Sequence, residues 1–251
     1  MTAQPTWLVL GDSVPGTAHR TDGRPCQDYF RVAIDGPADD WLVVAVADGA
    51  GSASRAEVGA RVACVEVVRA IRSAGPSSFL DEAAARRVVG QARAAVLAEA
   101  DRLSLPPREL ACTLLVAAVG PTAAGFAQIG DGAIVCGSGG EYRAALWPEP
   151  GEYANVTEFL TDERYADAAR FDRWDEPITE LAAFTDGLQR LALDFAARRP
   201  HPPFLGPLFR QLRDDPDRDT LFARFRDFLL SPAVCARTDD DTTLVLAVRP
   251  S

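Results

Sequence analysis

The sequence predicts an α+β fold in which antiparallel sheets are covered by helices on their outer faces. Short apolar runs of strand length occur in groups along the chain, and helical patterns occur in pairs between those groups. A doubly wound parallel sheet would instead alternate single strands with single helices. The run at 41–47 (WLVVAVA) is continuously apolar, which is typical of a strand covered on both faces. The pattern therefore favours packed layers.

The first half of the chain contains three predicted strands and then two long predicted helices. The strands are apolar runs bounded by turn signals, and they lie at 7–10, 30–34 and 41–47. Apolar residues recur with the helical period from about 54 to 73 and again from about 78 to 104. Pro106 ends the second helix because proline cannot continue the hydrogen-bonded ladder.

The second half is predicted to return to strands and to end with helices and one last strand. Pro and Gly separate the strand candidates at distances typical of hairpins, and these candidates lie at 112–119, 125–129, 133–136, 142–146, 181–184 and 243–248. Helices are expected near 188–199, 203–213 and 220–230. The stretch 148–177 mixes polar and aromatic residues and is predicted to be irregular.

Composition excludes several classes of function. The 251 residues carry a net charge of −10, so the surface should repel nucleic acid and anionic membranes. Five cysteines without a C-x-x-C pair argue against a zinc site and a disulfide framework. The N-terminus lacks the basic and apolar regions of a signal peptide, and no apolar run approaches the roughly 18 residues of a membrane span. We therefore expect a cytoplasmic protein.

Aspartate followed by glycine occurs five times, and three of these pairs stand out. Asp22 and Asp35 lie among polar residues, where Asp-Gly indicates a β-turn. Asp48, Asp131 and Asp186 each come directly after an apolar run that should be a buried strand. A strand delivers its terminal residue to the edge of the sheet, where several carboxylates can meet.

Carboxylates gathered in this way point to bound cations. They would repel one another at low dielectric, and a hard divalent cation such as Mg²⁺ or Mn²⁺ removes that repulsion while preferring oxygen ligands. Glycine after the aspartate lets a backbone carbonyl approach the ion. Two further candidates are the run 239–241 (DDD) before the last strand and Asp28 before the second strand. A DDD run alone indicates a solvated loop; beside three strand-terminal aspartates it indicates ligands.

The order of these motifs resembles the protein phosphatase 2C family in its bacterial form. The motifs are CQDYF, VADGAGS, CTLLVAAV, IGDGAIV, FTDGL and DDDTTLVLAV, and they extend over nearly the whole chain. The resemblance implies one catalytic domain over 1–251, built as a four-layer αββα sandwich of two antiparallel sheets flanked by helix pairs. It also implies hydrolysis of phosphoserine and phosphothreonine in proteins.

The resemblance assigns metal ligands to this sequence. It implies a cleft with two or three Mg²⁺ or Mn²⁺ ions, in which Asp48 bridges two metals and the carbonyl of Gly49 binds one. Asp186 and Asp240 would bind the other metal, and Asp131 matches a position that helps to hold a third.

Asp28 would act catalytically by hydrogen bonding to metal-bound water. The Asp240 assignment depends on alignment with the family's Asp-Asn-x-Thr, and a slip of one residue would give the role to Asp239. Water activated by the cations attacks phosphorus, so no side-chain nucleophile is expected.

Three positions depart from the family pattern. His19 stands where many members have an arginine that grips the substrate phosphate, so His19 is the substrate-binding candidate. Gln27 replaces an acidic residue, and Ala50 stands where animal members have a histidine proposed as general acid. The guanidinium group that is absent at position 19 could instead come from Arg20, Arg24 or Arg55.

The family resemblance also gives expectations about partners. The segment near 148–177 falls where members have a mobile flap beside the cleft, and its aromatic residues could contact a protein substrate or form a small hydrophobic cluster. A phosphorylated protein is the expected partner, together with a cognate serine/threonine kinase.

Two other functions compete with this one. Asp239, Asp241 and Thr243 form a D-x-D-x-T pattern, as in the nucleophile loop of haloacid-dehalogenase-like phosphatases, although that loop follows an early strand of a parallel sheet. Alternatively, the changes at His19 and Gln27 could leave a pseudophosphatase that binds phosphoproteins or a regulatory partner without turnover.

Overall fold

One five-stranded antiparallel sheet forms an inner layer of the molecule. The structure is a computed structural model, and it describes residues 6–36, 40–148 and 157–250. The strands of this first sheet lie in the order β2 (Tyr29–Asp35), β3 (Trp41–Ala47), β4 (Leu114–Val119), β5 (Ala124–Ile129) and β8 (Arg170–Trp174). Every neighbouring pair is antiparallel, as the grouped strand pattern predicts.

The second inner layer is another five-stranded antiparallel sheet. Its order is β1 (Leu8–Val14), β12 (Thr242–Val248), β9 (Glu180–Phe184), β6 (Ala133–Ser138) and β7 (Glu141–Leu146). The first and last strands of the chain thus pair with each other. A separate two-stranded ribbon is formed by β10 (Leu193–Asp194) and β11 (Arg199–Pro200).

Helix pairs cover the outer faces of both sheets. The first sheet is covered by α2 (Ala56–Ala74) and α3 (Glu82–Arg102), and the second by α6 (Pro202–Asp214) and α7 (Arg218–Leu229). The short helices are α1 (Thr17–Asp22), α4 (Tyr165–Ala168), α5 (Gln189–Ala192) and α8 (Pro232–Cys235), with 3₁₀ turns at Pro76–Leu80, Pro107–Leu110 and Asp186–Leu188. In the described part of the chain, no helix combines the length and apolarity that a membrane crossing needs.

Three apolar layers hold this sandwich together. Between the sheets, side chains such as Phe126, Leu115 and Ile134 are almost fully buried. Outside them, Cys64 and Phe209 belong to the layers between each sheet and its helices. Burial of this apolar surface is the main stabilising contribution to the fold. The predicted four-layer αββα architecture is confirmed.

Two segments differ from the sequence prediction. The helix expected over 188–199 stops at Ala192, because Asp194 accepts a hydrogen bond from the backbone N–H of Ala197 (3.0 Å) and turns the chain into the β10–β11 ribbon. In the stretch predicted to be irregular, α4 and the edge strand β8 form; the charged residues of β8 (RFDRW) hide the apolar alternation. Residues 149–156 of the expected flap lie outside the described residues.

Candidate active site

Aspartates far apart in the sequence meet at one edge of the sandwich. Ala47 at the end of β3 pairs with the first residue of β2, so Asp28 and Asp48 emerge at the same edge. In the second sheet the end of β9 lies beside the start of β12, which places Asp186 and Asp240 there as well. Burial raises the pKa of Asp48, and the charges of Asp28, Asp186 and Asp240 raise it further, so the four carboxyl groups lie close enough to interact.

The backbone around Asp48 is fixed by Thr113, the residue directly before β4. The N–H of Asp48 donates to Thr113 Oγ1 (2.9 Å), and the N–H of Thr113 donates back to the carbonyl of Asp48 (2.8 Å). A Cβ on Gly49 would lie 2.6 Å from Ala56 Cβ and 2.7 Å from the carbonyl oxygen of Gln27, so only glycine fits. Burial, followed by the surrounding carboxylates, raises the pKa of Asp48 well above its usual range.

Asp28 is buried and is held by two hydroxyl groups from the other sheet. Its Oδ2 accepts hydrogen bonds from Thr185 Oγ1 and Thr243 Oγ1, both at 2.8 Å. Its Oδ1 is buried and accepts no hydrogen bond from the described residues. Burial raises the pKa of Asp28 to about 8, and the two hydroxyl groups oppose that shift. A free oxygen of this kind is available to a ligand or a water molecule.

Asp186 begins the turn after β9 and is half-buried. Burial raises its pKa to about 6, with further contributions from the charges of Asp131 and Asp240. Its Oδ1 is also buried and has no donor in the described part of the chain. A Cβ on Gly187 would lie 2.3 Å from the carbonyl oxygen of Asp241. This glycine therefore lets the turn approach the loop before β12.

The three consecutive aspartates before β12 have different environments. Asp239 and Asp240 are both exposed, and the charge of Asp239 acts on Asp240. Asp240 raises the pKa of both Asp48 and Asp186, and desolvation raises its own pKa. Asp241 is buried, and its Oδ1 accepts from the N–H of Gly16 (2.8 Å). The geometry therefore favours Asp240 over Asp239 as the ligand candidate.

Asp241 also contacts His19, which lies on α1. His19 is 6% exposed, and its Nδ1 lies 2.8 Å from Asp241 Oδ1. The other carboxyl oxygen accepts from the backbone N–H of Gln27 (2.5 Å). With three such partners, Asp241 positions the segments that carry His19 and Asp28. The D-x-D-x-T pattern precedes the last strand of an antiparallel sheet, so the haloacid-dehalogenase-like assignment is wrong.

Asp131 lies in the turn between β5 and β6. The side-chain amide of Gln128 donates to the carbonyls of Gly130 (3.1 Å) and Gly132 (2.7 Å), which fixes this turn. Thr157 Oγ1 donates to Asp131 Oδ2 (3.1 Å). The charge of Asp131 acts on Asp186, so the turn borders the same site.

The donor set suits a hard divalent cation. It consists of oxygen atoms, two of them buried carboxylate oxygens without a donor, and the carboxyl groups raise one another's pKa values. Over residues 6–36, 40–148 and 157–250, no group of three or more His, Cys, Asp or Glu side chains is arranged so that it could already hold an ion. Coordination would therefore draw these carboxylates closer together.

Comparison with known proteins decides the family. A family model described as protein phosphatase 2C matches residues 15–229, most of the chain. The chain belongs to the protein phosphatase 2C family. It is 38% identical over 249 residues to serine/threonine-protein phosphatase 3 of Escherichia coli, covering 97% of this chain and 98% of that protein.

Solved structures share the protein phosphatase 2C fold with this chain. PppA of Pseudomonas aeruginosa has a TM-score of 0.66 at 17% identity, with 96% of this chain and 97% of that chain covered. The serine/threonine phosphatase Stp1 of Staphylococcus aureus has a TM-score of 0.64 at 13% identity, with 100% and 98% covered. At these identities the likeness concerns the fold alone.

The structure gives the contacts of Ala50, which departs from the protein phosphatase 2C pattern, and of the three arginines that could replace the missing guanidinium group. Ala50 is packed against Ala53 and Ala111, so position 50 supplies no proton donor. The guanidinium of Arg24 donates to the carbonyl of Gly51 (3.0 Å), in the loop that follows Asp48. Arg20 instead contacts Cys235 Sγ, and Arg55 pairs with Glu57. Of these three arginines, Arg24 is therefore the one that contacts the loop after Asp48.

Several residues of the site were not predicted from the sequence. Thr113 and Thr185 lie inside the motifs CTLLVAAV and FTDGL, and a buried hydroxyl group that needs a hydrogen-bond partner is the signal that could have indicated them. Asp241 was hidden inside a run of like residues, and no helix was predicted for the stretch of α1, which carries His19. All five cysteines are free.

Proposed function

We propose that this protein hydrolyses phosphoserine and phosphothreonine in other proteins, with water as the nucleophile and with Mg²⁺ or Mn²⁺ as cofactor. Its family is metal-dependent, and a relative of nearly equal length is named a serine/threonine-protein phosphatase. The observation that carries the proposal is the convergence of Asp28, Asp48, Asp186 and Asp240 on one edge of the two sheets.

The ligand assignment follows from where these groups lie. Asp48, the carbonyl of Gly49, Asp186 and Asp240 would hold two ions, and Asp131 would contribute to a third beside Asp186. Bound there, the cations would lower the pKa of a water molecule and neutralise charge on the phosphoryl oxygens.

The remaining residues act on water and substrate. Asp28 Oδ1, held in place through Oδ2 by Thr185 and Thr243, would accept a hydrogen bond or a proton from the attacking water. His19, oriented by Asp241, and the guanidinium of Arg24 would bind the phosphate group of the substrate.

The partner implied by this chemistry is a phosphorylated protein, and a serine/threonine kinase would supply it. A phosphate on a side chain at the protein surface suits a site that lies at the rim of a sandwich rather than in a closed cavity. The cytoplasmic location remains a proposal that rests on the composition and the free cysteines.

The proposal is tested by phosphopeptide hydrolysis with Mn²⁺ and with chelator. We expect phosphate release with Mn²⁺ and none after chelation. Phosphate release that continues at the same rate in chelator would contradict the cation assignment. Bound Mn²⁺ without turnover on any phosphopeptide would favour the pseudophosphatase, which the retention of all four carboxylates argues against.

A further inference from the structure

A cavity lies at the opposite end of the second sheet from the aspartates. It has a volume of about 700 Å³ and opens between α6, the β6–β7 turn and the outer ends of β9 and β12. Glu180 begins β9 and Arg249 follows β12, whereas Asp186 and Asp240 lie at the other ends of these strands. The two sites are thus about 20 Å apart along the strands. The volume is in the range of small-molecule sites.

The lining of this cavity is cationic although the protein is acidic. Three guanidinium groups, from Arg210, Arg213 and Arg249, border it together with a single carboxylate, that of Glu180. Arg213 pairs with Glu180. Arg249 donates to the carbonyl of Asp40 (2.9 Å). Within the described part of the chain, Arg210 has no hydrogen bond or ion pair, so its charge is available to an anion.

Glu180 is the unusual member of the lining. It is 3% exposed, and Arg213 donates to its Oε1, but its Oε2 is buried without any donor in the described part of the chain. Burial, the charge of Glu180 and the approach of the phenol to that carboxyl group raise the pKa of Tyr142 to about 12, so the phenol stays neutral. A buried carboxylate oxygen without a donor is costly, and a ligand that donates to it removes that cost.

We propose that this cavity binds a small molecule that carries both an anionic phosphonate, phosphate or carboxylate group and an amino group. The anion would pair with Arg210, and the amino group would donate to Glu180 Oε2. A simple anion would leave Glu180 Oε2 without a donor, and a simple cation would face three guanidinium groups. The site is separate from the proposed hydrolytic centre and does not depend on it.

The test is isothermal titration with 2-aminoethylphosphonate in the presence of chelator. The carbon–phosphorus bond resists hydrolysis, and the chelator removes cations that would bind the probe at the aspartates. We expect binding to the unaltered protein. Propylphosphonate, which lacks the amino group, should bind with an affinity at least about tenfold lower.

Two variants locate the binding. Arg210→Ala, at an exposed position of α6, should weaken binding about tenfold, and Glu180→Gln should weaken it similarly. Arg87→Ala, at an exposed position on α3, is the matched control and should bind normally. Unchanged affinity in Arg210→Ala, equal affinity for propylphosphonate, or no binding to the unaltered protein at about 10 mM would each overturn the proposal.

Discussion

His19 Nδ1 lies 2.8 Å from Asp241 Oδ1, and both side chains are almost fully buried. His19 stands where many family members have arginine, and Asp241 aligns with the asparagine of the family's Asp-Asn-x-Thr. These two positions therefore contact each other. A carboxylate that accepts from Nδ1 fixes the ring and leaves Nε2 for a ligand. We interpret the pair as a replacement for the guanidinium that other members use.

Replacing His19 should impair substrate binding more than the chemical step. We expect His19→Ala to raise KM about tenfold with a smaller change in kcat, and His19→Arg to keep KM low because a guanidinium can pair with Asp241 and with phosphate. Steady-state kinetics on a phosphopeptide measures both. His201→Ala, at the exposed second histidine, is the control. An unchanged KM in His19→Ala would remove His19 from the substrate site.

Asp241→Asn should lower stability. If the new amide group took the Oδ2 position, its N–H would face the N–H of Gln27, which now lies 2.5 Å from that oxygen. Losing this acceptor should reduce the free energy of unfolding by about 1–3 kcal/mol, as denaturant titration would show. Asp239→Asn, at the exposed neighbour, should change it by less than about 0.5 kcal/mol. Equal stability of the two variants would contradict the positioning role.

Asp48→Asn and Asp186→Asn should lower turnover by about 100-fold or more, because each removes a charged oxygen that the cations need. In chelator these variants should be at least as stable as the unaltered protein, since repulsion among the carboxylates is relieved. The matched control is Asp22→Asn, which alters an exposed Asp-Gly pair. Near-normal rates in the two site variants would refute the ligand assignment.

The metal-free protein should become less stable as pH rises from about 5 to about 8. The folded-state pKa values of Asp28 (about 8) and Asp186 (about 6) are raised, so the folded state favours the protonated carboxyl groups. The resulting stabilisation is fully present below about pH 4 and is lost as pH rises through the folded values. Melting temperatures in chelator measure this trend.

Added Mn²⁺ should reverse that loss, because the cation binds the ionised carboxylates. The increase in melting temperature should therefore be larger at pH 8 than at pH 5.5. A metal-free protein whose stability is constant over this interval would contradict the raised pKa values.

Thr243→Val should shift the acidic limb of the pH–rate profile to higher pH. The hydroxyl of Thr243 lowers the pKa of Asp28, so its removal raises that pKa further, and more alkaline conditions are needed to ionise the carboxyl group. Thr122→Val, at an exposed position, should leave the profile unchanged. An unshifted profile in Thr243→Val would show that Asp28 does not control the rate.

The sequence was sufficient for the fold and for the aspartates that end strands. Asp48 and Asp186 follow long apolar runs, and a strand places its last residue at the sheet edge whatever the tertiary details. The burial of Asp241 could not be predicted in this way, because its partners Gly16 and Gln27 are more than 200 residues away. The edge strand β8 was missed since charged residues interrupt its apolar pattern.

Asp28 belongs to one sheet, whereas Thr185 and Thr243 belong to the other. The hydrogen bonds of this single carboxylate therefore span the interlayer gap that apolar side chains such as Phe126 and Leu115 fill. The distance between the two sheets consequently determines the position of the Asp28 carboxyl group as well as the packing of the core. A large-to-small substitution between the two sheets would change the distance between them. It would thereby shift Asp28 relative to Thr185 and Thr243 and alter catalysis at the rim of the sandwich.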